Sequence, residues 1–264
     1  MIYVVTGGSK GMGAATVEIL RSQGHDVLNV DYDRGDICGD IGTPEGRKFI
    51  IDEVHKRCPD GIDGLVSNAG IAGVKGEKQS YVLSVNYFGA IAIMEGLYDL
   101  VEMRRGNIVQ TVSYSIAYTP RTKYFLDNLL VQCGDEQRIG EFVDSVATDP
   151  GFTGVYVSSK MGLVRWVRRK APSWATRGVN LNAVAPGGVD TTIIPGMKEN
   201  RAMFERQTLA LASPTVYYAE DLMKPMDVAG TLAFMATGAA KGIVGEIIYC
   251  DGGSASLFHN TKYL

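Results

Sequence analysis

The sequence predicts an α/β fold in which helices cover both faces of a parallel sheet. Three observations point there. Short, nearly continuous apolar runs recur at Ile2–Thr6 and at 62–67, 107–112, 179–184 and 246–250, as strands buried on both faces require. Helix-patterned segments separate them, and the first run passes straight into a glycine turn, a helix and a second strand. The 32 glycines suit many tight strand-to-helix turns. Together these predict a Rossmann-type, doubly wound α/β/α arrangement of three layers. At 264 residues the chain reads as one domain spanning 1–264.

In order, Ile2–Thr6 leads into Thr6-Gly7-Gly8-Ser9-Lys10-Gly11-Met12-Gly13, a helix over 14–23 ended by Gly24, and a strand over 26–30. Glycines here let backbone approach a pyrophosphate, and the helix N-terminus stabilises its negative charge. Gly7, Ser9, Lys10, Gly11, Met12 and Gly13 are therefore candidate cofactor contacts, although such a turn also serves purely structural ends. Asp31 follows the second strand with Tyr32 beside it, about 20 residues beyond the turn. A carboxylate there accepts bonds from an adenosine ribose and repels a 2'-phosphate, which favours NAD over NADP; Lys10 argues weakly the other way.

A helix is expected over 43–56 with Pro44 in its first turn. The strand at 62–67 closes on Asn68-Ala69-Gly70, and a long helix over 79–103 carries Asn86. A mid-helix amide usually satisfies a local backbone group. The strand at 107–112 ends at Ser113, where strand ends of an open sheet face the ligand crevice. Further on, Tyr156-Val157-Ser158-Ser159-Lys160 places a phenol and an ammonium one helical turn apart. A nearby ammonium favours the phenolate, giving a base for an alcohol proton; the plain alternative is a solvated helix surface.

Composition narrows the remaining classes. A net charge of -3 gives no reason to expect nucleic acid or a membrane surface. Cys38, Cys58, Cys133 and Cys250 show no paired spacing, and His25, His55 and His259 are dispersed, so neither a disulfide frame nor a metal site is expected. With no signal peptide and no long apolar run, a cytoplasmic protein is expected.

Thr6-Gly7-x-x-x-Gly11-x-Gly13, Asn68-Ala69-Gly70, Asn86, Ser113, Tyr156-x-x-x-Lys160, Pro186-Gly187, Thr191 and Asp251-Gly252-Gly253 occur in one order along the chain. This ordered set resembles the short-chain dehydrogenase/reductase family. The resemblance implies a seven-stranded parallel sheet, Tyr156 as general acid/base, and Lys160 as its activator and ribose ligand. It implies that Ser113 polarises the substrate oxygen and that Asn86 holds a relay water. Asp40 and Ile41 would flank adenine, while Asn68, Ala69 and Gly70 would line the cofactor cleft. Pro186, Gly187 and Val189 would meet the nicotinamide side, and Thr191 its carboxamide or the phosphates.

Ser113 and Tyr156 stand much farther apart than is usual in that family, which defines an insertion near 114–154. Within it Phe125, Leu126, Leu129 and Leu130, then Ile139, Phe142, Val143 and Val146, space like two helical faces with Gly134 between. The long insertion, the shortened loop after Gly70, and stretches such as Thr43-Pro44-Glu45-Gly46-Arg47-Lys48 resemble the 3α-hydroxysteroid dehydrogenase/carbonyl reductase branch. That resemblance implies a steroid or bile-acid alcohol as substrate. The insertion either roofs the substrate site or covers helix surface used elsewhere for subunit contacts; a homo-oligomer, dimer or tetramer, is expected. A small substrate lobe is expected near 190–218. The rival from another class is a catalytically silent dinucleotide-binding regulator.

Overall fold

A computed structural model describes residues 1–73, 76–117, 126–148, 155–191 and 222–258. β1 (Ile2–Thr6) shows how the layers arise, because its alternate side chains enter different cores. Val4 packs with Ile50, Leu100 and Leu163 on one face. Tyr3 and Val5 pack with Leu20, Val228 and Leu232 on the other. Every residue after Ile2 in this strand is buried, so it must lie at the centre of the sheet.

The other strands are β2 (Asp26–Asp31), β3 (Ile37–Cys38), β4 (Gly64–Ser67), β5 (Asn107–Thr111), β6 (Asn180–Pro186) and β7 (Ile247–Cys250). They form one seven-stranded sheet in the order β3-β2-β1-β4-β5-β6-β7. All pairs are parallel, with Thr6 opposite Val30 on one side and Ser67 on the other. Strand order reverses at β1 and β4, so their C-terminal ends frame a crevice. The two-residue β3 was not foreseen from the sequence.

α1 (Gly11–Ser22) packs against α9 (Pro225–Ala236) on one face. α2 (Pro44–Arg57) lies on the other, capped by Thr43, whose hydroxyl accepts from Gly46 N–H at 3.1 Å. The single helix expected over 79–103 is in fact broken. It comprises α3 (Gln79–Leu83), a π-helical turn (Ser84–Gly89), α4 (Ala90–Gly96) and α5 (Tyr98–Arg104). Close packing accompanies the break. A Cβ on Gly89 would lie 2.4 Å from the Ile41 carbonyl oxygen, and one on Gly96 would lie 2.4 Å from Ile51.

The insertion folds as α6 (Leu126–Cys133) and α7 (Glu136–Val146). Gly134, at φ +65°, makes the break between them, and the Asp135 side chain caps α7 through Arg138 N–H. α6 lies on α8 (Tyr156–Ala175), where Gly162 leaves room for Leu130 and Tyr87. α7 lies on α3, held by Asp144, which accepts from Ser80 N–H at 2.9 Å and Ser80 O–H at 2.7 Å. Of the expected apolar faces, Leu126, Leu130, Ile139 and Val143 are buried, whereas Leu129 is exposed. Phe125 and most of the expected 190–218 lobe lie outside the described residues. α10 (Ser254–Phe258) abuts the 3-10 turn Tyr114–Ala117 that follows β5.

Candidate active site

At the C-terminal ends of β1, β2 and β4 lies a cleft of about 500 Å³. Gly7, Lys10, Gly11, Met12, Asp31, Tyr32, Asp40, Ile41, Asn68, Ala69, Gly70 and Thr191 all line it. Ser9 and Gly13 stand behind its wall. Ser9 gives its hydroxyl to the Arg34 carbonyl, and its backbone N–H donates to Asp31 Oδ2 at 2.9 Å. Gly13 permits turn closure, since a Cβ there would sit 2.0 Å from the Gly7 carbonyl oxygen.

The cleft suits a dinucleotide on two counts. No side chain caps the N-terminus of α1, and no acidic residue occupies its first turn, so a negative group meets helix donors without competition. Gly7 (φ +67°) and Gly11 (φ +55°) place bare backbone along the wall. The wall itself is braced from Thr6, whose hydroxyl accepts from Asn68 N–H at 3.0 Å and Ala69 N–H at 3.1 Å. Asn68 in turn donates to the Gly7 carbonyl and accepts from Thr111 Oγ1.

The far end is set by two carboxylates. Asp31 also accepts from Tyr32 N–H at 2.7 Å, which fixes its plane at the strand end. Asp40 accepts from Gly42 N–H at 2.7 Å and from the Tyr81 hydroxyl at 3.1 Å. Burial and Asp40 push the Tyr81 phenol up to about 12, so it stays a donor. Tyr81 was missed in the sequence because its partner lies across two elements.

Tyr156 opens α8, and Lys160 sits one turn later on the same face. Ser113, at the end of β5, lies close enough to the Tyr156 phenol to lower its pKa. The Lys160 ammonium is buried, 5.7 Å from the Tyr156 ring centre, and donates to the Thr111 carbonyl at 3.2 Å. Asn86 is fully buried in the π turn; it accepts from Ile71 N–H at 2.9 Å and donates to the Ile71 carbonyl at 2.8 Å. Its side chain thus satisfies local backbone. A Cβ on Gly70 would be 3.1 Å from Asn86 Oδ1 and 3.5 Å from Lys160 Nζ, so the glycine joins these two positions to the cleft.

Burial raises the Tyr156 phenol above its ordinary value, and Ser113 pulls the other way. Burial also lowers Lys160 to about 8. The shift of the tyrosine is set by desolvation against Ser113, and the depression expected from Lys160 is not among its causes.

Pro186, Gly187 and Val189 do not line the 500 Å³ cleft; they run from the end of β6 toward Thr191. A Cβ on Gly187 would lie 2.8 Å from Asp251 Cα, and the Asp251 carboxylate caps α10 through Gly253 and Ala255 N–H. The Asp251-Gly252-Gly253 motif thus supports the site by packing. Among the described residues no cluster of His, Cys, Asp or Glu would hold a metal ion, and no helix is long and apolar enough to cross a membrane.

Residues 1–121 match the family model for short chain dehydrogenases, and 142–255 match that described as enoyl-(acyl carrier protein) reductase. A 3-alpha-hydroxysteroid dehydrogenase/carbonyl reductase of Comamonas testosteroni is 31% identical over 265 aligned positions, covering 99% of both chains. The chain belongs to the short-chain dehydrogenase/reductase family. As a member it is an oxidoreductase that works with a nicotinamide dinucleotide. A second relative, coniferyl-alcohol dehydrogenase of Pseudomonas sp. (strain HR199 / DSM 7063), is 30% identical and covers 97% of this chain and 96% of its own. The crystal structure of the 3-alpha-hydroxysteroid dehydrogenase from Pseudomonas sp. B-0831 complexed with NADH matches with a TM-score of 0.87 at 31% identity, covering 99% of each chain.

Proposed function

We propose that this enzyme oxidises a secondary alcohol to a ketone, reversibly and with NAD, and that its substrate is the 3α-hydroxyl of a steroid or bile acid. The observation that carries the chemistry is the meeting of Ser113 with the Tyr156 phenol, one helical turn from the buried Lys160. Tyr156 takes the hydroxyl proton during oxidation and returns it to the carbonyl oxygen during reduction. Ser113 holds that oxygen, Lys160 supplies positive charge and a ribose contact, and the turn that carries Asn86 would hold the relay water. The glycine turn at α1 would hold the pyrophosphate, Asp31 the adenosine ribose, Asp40 and Ile41 the adenine, and Thr191, with Pro186, Gly187 and Val189, the nicotinamide side. When bound, the dinucleotide supplies the hydride acceptor.

NAD rather than NADP is favoured because a carboxylate at the end of β2, Asp31, would repel a 2'-phosphate. The steroid assignment rests on the two 3α-hydroxysteroid dehydrogenases among the relatives. The similar identity to coniferyl-alcohol dehydrogenase supports a second reading, an aryl allylic alcohol. α6 and α7 cover α8 and α3, which favours a dimer over a tetramer built on those helices; the setting is cytoplasmic.

The test is a panel of 3α-, 3β-, 7α- and 12α-hydroxy bile acids and coniferyl alcohol, with NAD and NADP, followed at the NADH absorbance. Fastest turnover is expected for a 3α-hydroxyl with NAD. Activity on coniferyl alcohol alone would select the second reading. Tyr156→Phe should lower kcat by about 10³-fold while NADH binding persists; near-normal turnover in that variant would remove Tyr156 from the mechanism.

A further inference from the structure

Ser115, in the turn after the catalytic serine, makes contacts that the proposed chemistry has not used. It is buried, and two of its groups converge on one atom: its backbone N–H is 3.2 Å from Ser113 Oγ, and its hydroxyl is 3.0 Å from the same oxygen. A serine hydroxyl has two acceptor lone pairs and one proton. With both lone pairs facing Ser115, the single Ser113 proton is left to point the opposite way, toward Tyr156 and the oxygen of a bound substrate. We infer that Ser115 is a positioning residue that makes Ser113 a one-directional donor, fixing its hydrogen toward the reacting oxygen.

This deepens the proposed function and rests on it. An oxygen bearing partial negative charge in the transition state gains most from a donor already aimed at it, because no reorientation is needed as charge develops. A lone Ser113 hydroxyl would rotate among its acceptors, including the lone pairs of Ser115. Held at two points, it adds a donor to the substrate oxygen and to the phenolate alike. The lowering influence of Ser113 on the Tyr156 phenol has the sign expected of a donor. Among the described residues a charged group near that phenol is Lys160 on its own helix, and from α6 the buried Asp127 is paired with Arg165 at 2.9 Å.

The 3-10 turn Tyr114–Ala117 explains how the arrangement holds. It begins directly after Ser113, and α8 and α10 both pack on it, so Ser115 is fixed from two sides. Serine at this position supplies a hydroxyl without bulk.

The test compares wild type, Ser113→Ala, Ser115→Ala and the double variant, with a 3α-hydroxy bile acid and coniferyl alcohol as parallel substrates. The readouts are kcat, KM, NADH affinity and thermal midpoint. Ser115→Ala keeps the backbone donor and loses the hydroxyl donor. It should lower kcat by about tenfold, the size of one directed hydrogen bond, with KM for NAD and NADH affinity unchanged. In the Ser113→Ala background the same change should add less than about twofold, because its target is gone. A wild-type kcat in Ser115→Ala, or equal losses in both backgrounds, would overturn the inference while leaving the reaction class intact. A loss in KM and NADH affinity with kcat unchanged would reduce Ser115 to a structural part. Wild type inactive on every alcohol, or Ser113→Ala matching wild type, would instead overturn the proposed function itself.

Discussion

Arg47 of α2 grips Glu136 of α7 with two charge-assisted bonds, Nη1 to Oε2 at 2.6 Å and Nη2 to Oε1 at 2.7 Å. The same guanidinium donates to the Ile41 carbonyl at 2.6 Å and the Ser84 carbonyl at 2.9 Å. One buried side chain thus joins the cleft wall at Ile41, the π turn that carries Asn86, and the insertion. Glutamate and arginine in this fork geometry are strongly directional.

Removing the arginine should therefore be costly. Arg47→Met leaves buried carbonyls without donors and a half-exposed carboxylate without its partner, and should lower stability by about 2–4 kcal/mol. Glu136→Gln keeps hydrogen bonding and should cost about 1 kcal/mol. Urea unfolding measures both; equal midpoints for wild type and Arg47→Met would show that the junction contributes nothing.

Lys160 gives the fold a defined pH response. Its folded value, about 8, lies below the ordinary lysine value of 10.5, so the unfolded chain binds the extra proton between those limits. Stability should then rise as pH increases from about 8 toward 10, as the penalty for a buried ammonium is relieved. Above 10 the phenols of Tyr81 and Tyr87, each pushed to about 12, act in the opposite sense because they are protonated in the folded chain and ionised in the unfolded one. Lys160→Met should abolish turnover, raise stability at pH 7, and flatten the rise between 8 and 10. Chemical unfolding across that range decides it; parallel curves for the two proteins would contradict a depressed Lys160.

Asp31 offers a test of cofactor choice. Asp31→Ser removes the carboxylate from the end of β2 and leaves Ser9 N–H and Tyr32 N–H free to turn toward a phosphate. kcat/KM with NAD should fall about 10–100-fold, the scale of lost bonds to a charged group, while kcat/KM with NADP rises. An unchanged NAD:NADP ratio would mean the preference is set elsewhere.

What could be read in the sequence followed the range over which each signal acts. The glycine turn, Asn68-Ala69-Gly70 and the Tyr156–Lys160 pair lie within short windows; the first two line the crevice, and Lys160 reaches it only at Gly70. The two insertion helices were legible from apolar period, with Gly134 as a break between them. The π turn was not, because a slip of hydrogen-bond register leaves the spacing of apolar side chains nearly intact. Arg47–Glu136 and Asp40–Tyr81 join distant parts of the chain, so neither leaves a local pattern. Ser115 sat two positions from a recognised serine, but its meaning depends on how closely its N–H and hydroxyl approach the Ser113 oxygen, which the order of residues does not encode.

β5 and β6 are neighbours in the sheet, yet the entire insertion and α8 lie between them in the chain. Ser113 and Tyr156 sit at the two ends of the insertion. Closing so long a loop is slow relative to forming the local β-α-β unit at the N-terminus. The β1, β2 and β4 part of the nucleotide crevice should therefore form before the proton-transfer pair. On refolding from urea, recovery of NADH binding should precede recovery of turnover, and a folding intermediate would hold cofactor before it is an enzyme.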